Sequence, residues 1–420
     1  MSIHSLRVVL RSDFNGVPGT NNKAELIRLI LKIQSGEEIP VRSTKGRKPL
    51  DNAVNSEREL IFSDSVDEQF AEKGWIKGLF EKSSDGFGFI RREDFSFSKC
   101  DVFVRETLVK RFGLKTGDLV EGSFDGHGDR DGYSVKNISF INGQSAEPFA
   151  RQEDSELKVQ PVVEKIDLSA SGDYLIKAVD VFCPIGKGQR CLIVSENSAY
   201  ATDFVKRTLR SLDLNDSELA VTTLLVGVKP ETAVEMKDEF KNVVINVGFN
   251  EDFEKAVRIC NLVVQSVKAK VKSGKSHLLI VDKLSAVVEL FREYLSREKG
   301  DKYLKNGITA ERFILDIFGN GGCFGDGRSL TVITSVGDVD CAIFKNLKEI
   351  ANAILYLKGE GKFRKRAYKL DLANSWSDSD EILHGDEKIA KIDDIRDQAC
   401  SSLEKEDELW AKLKSGEFDV

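Results

Sequence analysis

From residue 190 onward, short apolar runs rich in β-branched residues alternate with longer stretches of helical period, and no other feature narrows the possible folds of this chain as far. The spacing predicts strands over 190–194, 220–228, 242–247, 277–282 and 329–335, with helices over 202–212, 229–240, 252–272 and 284–298 between them. Strands this apolar are covered on both faces, and helical crossovers of roughly 15 residues join parallel neighbours. This half is therefore expected to be an α/β domain built on a parallel sheet. At 420 residues the chain exceeds what one core organises, so two or three domains are expected. A composition of 41% hydrophobic and 31% charged residues supplies packed cores.

Upstream the texture changes. Between Gly74 and Gly143 short β-like runs at 75–80, 86–91, 101–104, 119–124 and 133–141 are separated by Gly and Asp turns. Five short strands in about 70 residues predict a small closed barrel of the OB type, cold-shock-like in outline. Asn22 and Glu25 have capping-box spacing ahead of a helical pattern at 23–34, and a polar stretch follows with Arg42, Lys45, Arg47 and Lys48. The expected organisation is multidomain α+β: an N-terminal helical segment (1–36), a linker (37–73), the OB-type barrel (74–146), a connector (147–170), the α/β domain (171–383) and an acidic tail (384–420).

Charge and reactive residues exclude several classes. With 62 basic and 69 acidic residues the net charge is -7, so no global positive field recruits a polyanion, and any such site is local. The stretch from Asp378 to the end carries 14 acidic and 6 basic residues, more than the whole deficit. It reads as a solvated helical tail whose stripe Leu403, Leu409, Trp410 and Leu413 could dock on the domain. Seven scattered cysteines without a CxxC pair and four isolated histidines give no disulfide framework, no structural zinc site and little basis for histidine catalysis. No run approaches the ~18 apolar residues that cross a bilayer, so a soluble cytoplasmic protein without a membrane partner is expected.

Unpaired nucleic acid is held by aromatic faces that stack on bases, flanked by cations. The run from Asp85 to Arg91, DGFGFIR, fits that need, with Phe87, Phe89 and Arg91 on one side of a strand, Gly88 sparing bulk beside the rings, and Phe103 as a third ring from the next strand. Alternating Phe residues also fill barrel cores; against that, Ile90, Val102 and Val104 already occupy the inward phase. The segment 74–143 has 11 basic and 11 acidic residues, so stacking and local hydrogen bonds must do what phosphate attraction cannot.

In the α/β domain, the run from Pro184 to Arg190, PIGKGQR, then a strand, a loop and a helix follow the layout that places a phosphate cradle. The loop from Ser195 to Thr202 reads SENSAYAT and has neither the glycine nor the lysine such a cradle uses. Glu196 adds negative charge where phosphates would lie, and Tyr200 adds bulk. Asp282 ends an apolar strand and reads either as a helix cap or as the acid that orients magnesium through water. The glycine-rich run 319–327 precedes a strand, has no lysine, and reads as a flexible turn. Lys358, Lys362, Arg364, Lys365, Arg366 and Lys369 form the densest basic patch, which reads as a solvated face or as a contact for RNA or an acidic partner.

Together these residues resemble the bacterial transcription termination factor Rho family, hexameric RNA-dependent ATPases and helicases with an OB-type RNA domain and a RecA-like motor. The likeness runs from about residue 23 to 383 and is most specific in DGFGFIR (85–91), FGLKTGD (112–118) and PIGKGQR (184–190). It implies an RNA site of Phe87, Phe89, Arg91, Asp101 and Phe103, the last in place of the family's tyrosine. It also implies a degenerate nucleotide site made of Ser195, Tyr200, Ala201, Thr202, Val228, Lys229, Asp282 and Asp378. Ala201 stands where the lysine belongs and only Thr202 matches; Val228 and Lys229 stand for the catalytic glutamate and its arginine; Asp378 falls at the arginine finger; the pore loop before Cys341 is about four residues short. The implied protein binds single-stranded RNA without ATP or Mg2+ as working cofactors. It acts in or on transcription termination, in a ring with Rho or with itself, or against the transcription complex. A divergent active RNA-dependent ATPase and a standalone RNA-binding protein are the alternatives.

Overall fold

The computed structural model describes residues 74–418 apart from 96, 98–100, 127–132, 148–158, 216–218, 249, 297–308, 326, 338–341 and 360–366. The expected 23–34 helix, the linker with its basic residues, the pore loop before Cys341 and the Lys362–Arg366 part of the basic patch lie outside the described residues.

Alternation along β1 (Trp75–Lys82) sends Ile76, Gly78 and Phe80 inward and Leu79 and Glu81 outward. It pairs antiparallel with β2 (Gly88–Arg91), which pairs with β3 (Val102–Val104). Helix α1 (Glu106–Phe112) follows and ends on Gly113, whose φ of 57° closes the last turn. Strands β4 (Leu119–Gly126), β5 (Tyr133–Ile141) and the two-residue β6 (Gln144–Ser145) complete the order β3-β2-β1-β4-β5-β6, and a β3–β5 pairing closes the barrel. Phe80, Ile90, Val102, Val104, Val120, Val135 and Ile141 fill it. The phase argument therefore holds: Ile90, Val102 and Val104 are core, and the Phe residues face the other way.

The second half begins with β7 (Val159–Gln160) and α2 (Tyr174–Phe182), then β8 (Arg190–Ser195), α3 (Ser198–Leu214), β9 (Ala220–Val226), α4 (Pro230–Glu239), β10 (Val243–Val247), α5 (Phe253–Lys272), β11 (His277–Asp282) and α6 (Leu284–Ser296). It continues through α7 (Ala310–Gly319), β12 (Gly322–Phe324), β13 (Ser329–Val336), α8 (Ala342–Ile350), β14 (Ala353–Gly359), β15 (Tyr368–Leu370) and β16 (Trp376–Ser377). The sheet runs β10-β9-β11-β13-β8-β14-β15, parallel throughout except for the last pairing. Two apolar clusters cover its faces, as the buried β-branched strands require.

Three expectations are corrected. The glycine-rich run is not simply a turn: Gly322–Phe324 is a strand laid between β13 and β7, and the bare Gly188 lets its backbone pass within 2.5 Å of where a Cβ would stand. Strand β14 and helices α2, α7 and α8 are additional to the predicted set. The tail, α9 (Asp380–His384), α10 (Asp386–Cys400) and α11 (Leu403–Ser415), docks through the expected stripe, with Leu409, Trp410 and Leu413 in the core together with Phe418. Leu403, placed on the same stripe, is 78% exposed. Glu406 of α11 is buried between Lys358 (3.3 Å) and Lys369 (3.0 Å), so those members of the basic patch serve packing.

Barrel and sheet meet along α5. Leu79 and Phe95 share an apolar cluster with Ala256, Val257 and Val263. Gly117, at φ 94°, brings its backbone so close that a Cβ would lie 2.3 Å from the Gln265 carbonyl carbon. Gly117→Ala should therefore cost roughly 2 kcal/mol or more, through a left-handed backbone and overpacking together. Urea denaturation of the full chain checks it, and Gly113→Ala, which meets no atom within 4 Å, is the control for backbone strain alone.

Candidate nucleic-acid face and the cleft at the strand ends

The registers Glu81↔Phe89, Leu79↔Arg91 and Phe89↔Phe103 place these side chains on the outer face of the barrel. Phe87, Phe89 and Phe103 are each half-buried, with ring centroids 5.8 Å (87–89), 5.4 Å (87–103) and 5.9 Å (89–103) apart. Edge-to-face and tilted packing at such distances is favourable and leaves ring surface toward solvent. Gly88 has a different role from the one expected. A Cβ there would lie 2.3 Å from the Phe80 ring, so the bare residue admits Phe80 to the core instead of clearing space beside the outer rings.

Arg91 is not a free outer cation but is 4% exposed. Its Nε donates to Glu81 Oε2 at 2.7 Å and its Nη1 donates to Asp101. Its guanidinium lies 4.9 Å from the Phe89 ring and 4.6 Å from Phe97. Its Nη2 is buried without a hydrogen-bond partner. Glu81 and Arg258, absent from the sequence-based set, complete the arrangement. Arg258, on α5, forks onto Glu81 with Nε to Oε1 at 2.7 Å and Nη2 to Oε2 at 2.9 Å. Burial pushes the Glu81 carboxyl up, but attraction to Arg91 and Arg258 outweighs it and holds the group below its ordinary 4.5. The alternation in β1 placed Glu81 beside Arg91; nothing local marked Arg258, 177 residues away.

At the carboxyl ends of the parallel strands, where such sheets hold ligands, the loop after β8 is only Glu196 and Asn197 before α3 begins. Asn197 caps α3 by accepting from the Ala199 N–H. Glu196 is exposed, its Oε2 3.3 Å from the Gly359 N–H. Tyr200 does not stand in the loop as bulk; it is buried and stacked on Tyr368 at 4.8 Å. Ala201 is buried beside it. Asp282 is no helix cap either: it is fully buried, accepting from Thr202 Oγ1 and from Ser335 Oγ, each at 2.6 Å. Burial raises its pKa and these hydroxyls only oppose the rise. Ser195 is buried at the end of β8, Val228 is buried in the core, and Lys229 is exposed at the start of α4. Asp378 is exposed, raised first by partial burial and then by Asp380, with Arg190 opposing. The structure thus brings Thr202 and Asp282 together with Ser335, a partner the sequence did not mark.

Residues 76–147 match the family described as "Rho termination factor, RNA-binding domain". Across both halves, the chain is 27% identical over 403 residues to the transcription termination factor Rho of Rhodopirellula baltica, covering 91% of this chain and 77% of that one. It is 26% identical over 334 residues to the Rho of Borreliella burgdorferi (75% and 63%) and 25% identical over 358 residues to that of Neisseria gonorrhoeae (80% and 83%). The barrel matches the Rho RNA-binding domain, and across both halves the chain is similar to transcription termination factors Rho. Two of the Rho-like sequence runs have structural reasons in this fold. In FGLKTGD, Gly113 ends α1 and Gly117 abuts α5. In PIGKGQR, Gln189 ties the Gly186 N–H to Ser377 Oγ, and Arg190 holds the Ile350 and Gly321 carbonyls. No helix among the described residues is long and apolar enough to cross a membrane.

Because the folded-state pKa of Glu81 is depressed, its stabilising contribution is complete above the ordinary 4.5 and is lost as pH falls through the lower folded value. Glu81→Gln should cost about 2 kcal/mol at pH 7, and the gap from wild type should close as pH falls below that range. Urea melts of both proteins at pH 7 and pH 3 measure it.

Proposed function

We propose that this Rho-like chain binds single-stranded RNA through its barrel and acts in or on transcription termination without hydrolysing ATP. Its α/β half serves assembly into a ring with active Rho-family subunits. The observation that carries the reading is the cluster of Phe87, Phe89 and Phe103, half-exposed on the outer barrel face above the Arg91–Asp101 pair. Ring surface at that spacing offers stacking platforms, and the buried Arg91 guanidinium supports the Phe89 ring from beneath.

Magnesium triphosphate does not fit the residues at the strand ends. A phosphate cradle converges free backbone N–H groups and a lysine on the anion. Here the first turn of α3 is capped by Asn197, Glu196 brings negative charge, and residues 195–202 hold no cation. Asp282 spends both oxygens on Thr202 and Ser335, and its raised pKa weakens it as a partner for a hydrated metal. The start of α3 is also fastened in place: Tyr200 stacks on Tyr368, whose hydroxyl donates to Asp203 at 2.8 Å, and Arg207 bridges Asp203 and Asp173. Losing one preorganised transition-state contact removes about 3–4 kcal/mol, and several are missing together.

Two measurements test this. Full-length protein should bind a labelled oligo(C) RNA, and Phe89→Ala or Phe103→Ala should each weaken binding by about 1–3 kcal/mol with the fold retained. With RNA and Mg·ATP, phosphate release should stay at background for the wild type and for Asp282→Asn; RNA-stimulated release abolished by that substitution would identify a working ATPase and end this reading.

A further inference from the structure

Among the described residues, the charge buried beneath the aromatic face is shared between the barrel and the other half of the chain. Arg91 is held by two barrel carboxylates, Glu81 and Asp101, and the three side chains are 4%, 8% and 7% exposed. One guanidinium against two carboxylates leaves a surplus negative charge, buried beside Phe89 and Phe103. That sign repels phosphate. The missing charge comes from the other half of the chain, where Arg258 of α5 grips both Glu81 oxygens at 2.7 and 2.9 Å. Phe97 is flanked by both guanidinium groups, 4.6 Å from Arg91 and 4.8 Å from Arg258. Two turns along the same helix, Gln265 meets the bare backbone of Gly117, so α5 is pinned to the barrel at both points.

We infer that Arg258 is a positioning residue for RNA binding: acting through Glu81, it neutralises the surplus carboxylate and holds Arg91 in place, so that the single-strand site is completed by the α/β half. This rests on the RNA-binding reading above and adds that the barrel alone is an incomplete site. In low-dielectric surroundings an unbalanced charge acts strongly on its neighbours. Removing Arg258 leaves this set of side chains at one negative charge, and Glu81, with one of its two guanidinium partners gone, shifts Arg91 beneath the rings.

The charge arithmetic makes a test that a purely structural role would not reproduce. Binding of labelled oligo(C) RNA is measured by fluorescence anisotropy on full-length wild type, Phe89→Ala, Arg258→Gln, Arg258→Lys, and the Glu81→Gln/Arg258→Gln double variant, with a thermal melt of each. Arg258→Gln should weaken binding on the order of tenfold. Arg258→Lys, which keeps the charge, should stay within about threefold of wild type. The double variant, neutral again through the remaining Arg91–Asp101 pair, should recover most of the loss although it has lost more contacts. Arg258→Gln binding like wild type, Arg258→Lys losing as much as Arg258→Gln, or a double variant no better than the single one would each overturn the inference. Should Arg258→Gln not fold, the Lys variant and the double variant still decide it. A wild type that binds RNA through Phe89 but is indifferent to Arg258 removes this inference alone; a wild type that does not bind, or binds without Phe89, removes the RNA-binding reading with it.

Discussion

A carboxylate shared between two guanidinium groups holds the two halves of this molecule in one arrangement. Taking Glu81 out of water costs several kcal/mol, and that cost is offset only when Arg91 of β2 and Arg258 of α5 are both in place. The pairing is directional, because Arg258 forks onto both oxygens while Arg91 approaches one. Apolar packing of Leu79 and Phe95 against α5 gives the junction area, and the bare backbone of Gly117 sets its closest approach. The outer barrel face thus has two zones: one covered by the motor-like half, and one where three rings remain half-open.

In the cleft at the strand ends the polar groups turn to one another. Thr202 and Asp282 meet, and both Asp282 oxygens are taken by the Thr202 and Ser335 hydroxyls. Tyr200, in a segment that reads as exposed loop, instead carries part of the core through Tyr368. The parallel sheet around the cleft is stabilised by its two apolar faces and not by this loop.

The sheet was legible because its strands are continuous apolar runs, and the strand 277–282 has the observed bounds of β11. The aromatic face was legible because Ile90, Val102 and Val104 use up the inward phase. What escaped depends on partners distant in sequence. The strand Gly322–Phe324 is too short and glycine-rich to declare itself without β7 and β13. The docking stripe was legible in Leu409, Trp410 and Leu413, whereas Phe418, which enters the core beside α2, lay outside it. Arg91 reads as an outer cation until Glu81 and Asp101 are seen to hold it and Arg258 to share Glu81, and nothing in the local pattern around residue 258 points to residue 81.

The proposed function requires a surface for unpaired RNA and none for triphosphate. Calorimetric titration of a single preparation of the full-length protein, first with Mg·ATP and then with oligo(C) RNA, addresses both parts at once. The expected result is no saturable heat from the nucleotide and a saturable heat from the RNA; saturable, magnesium-dependent nucleotide binding would contradict it.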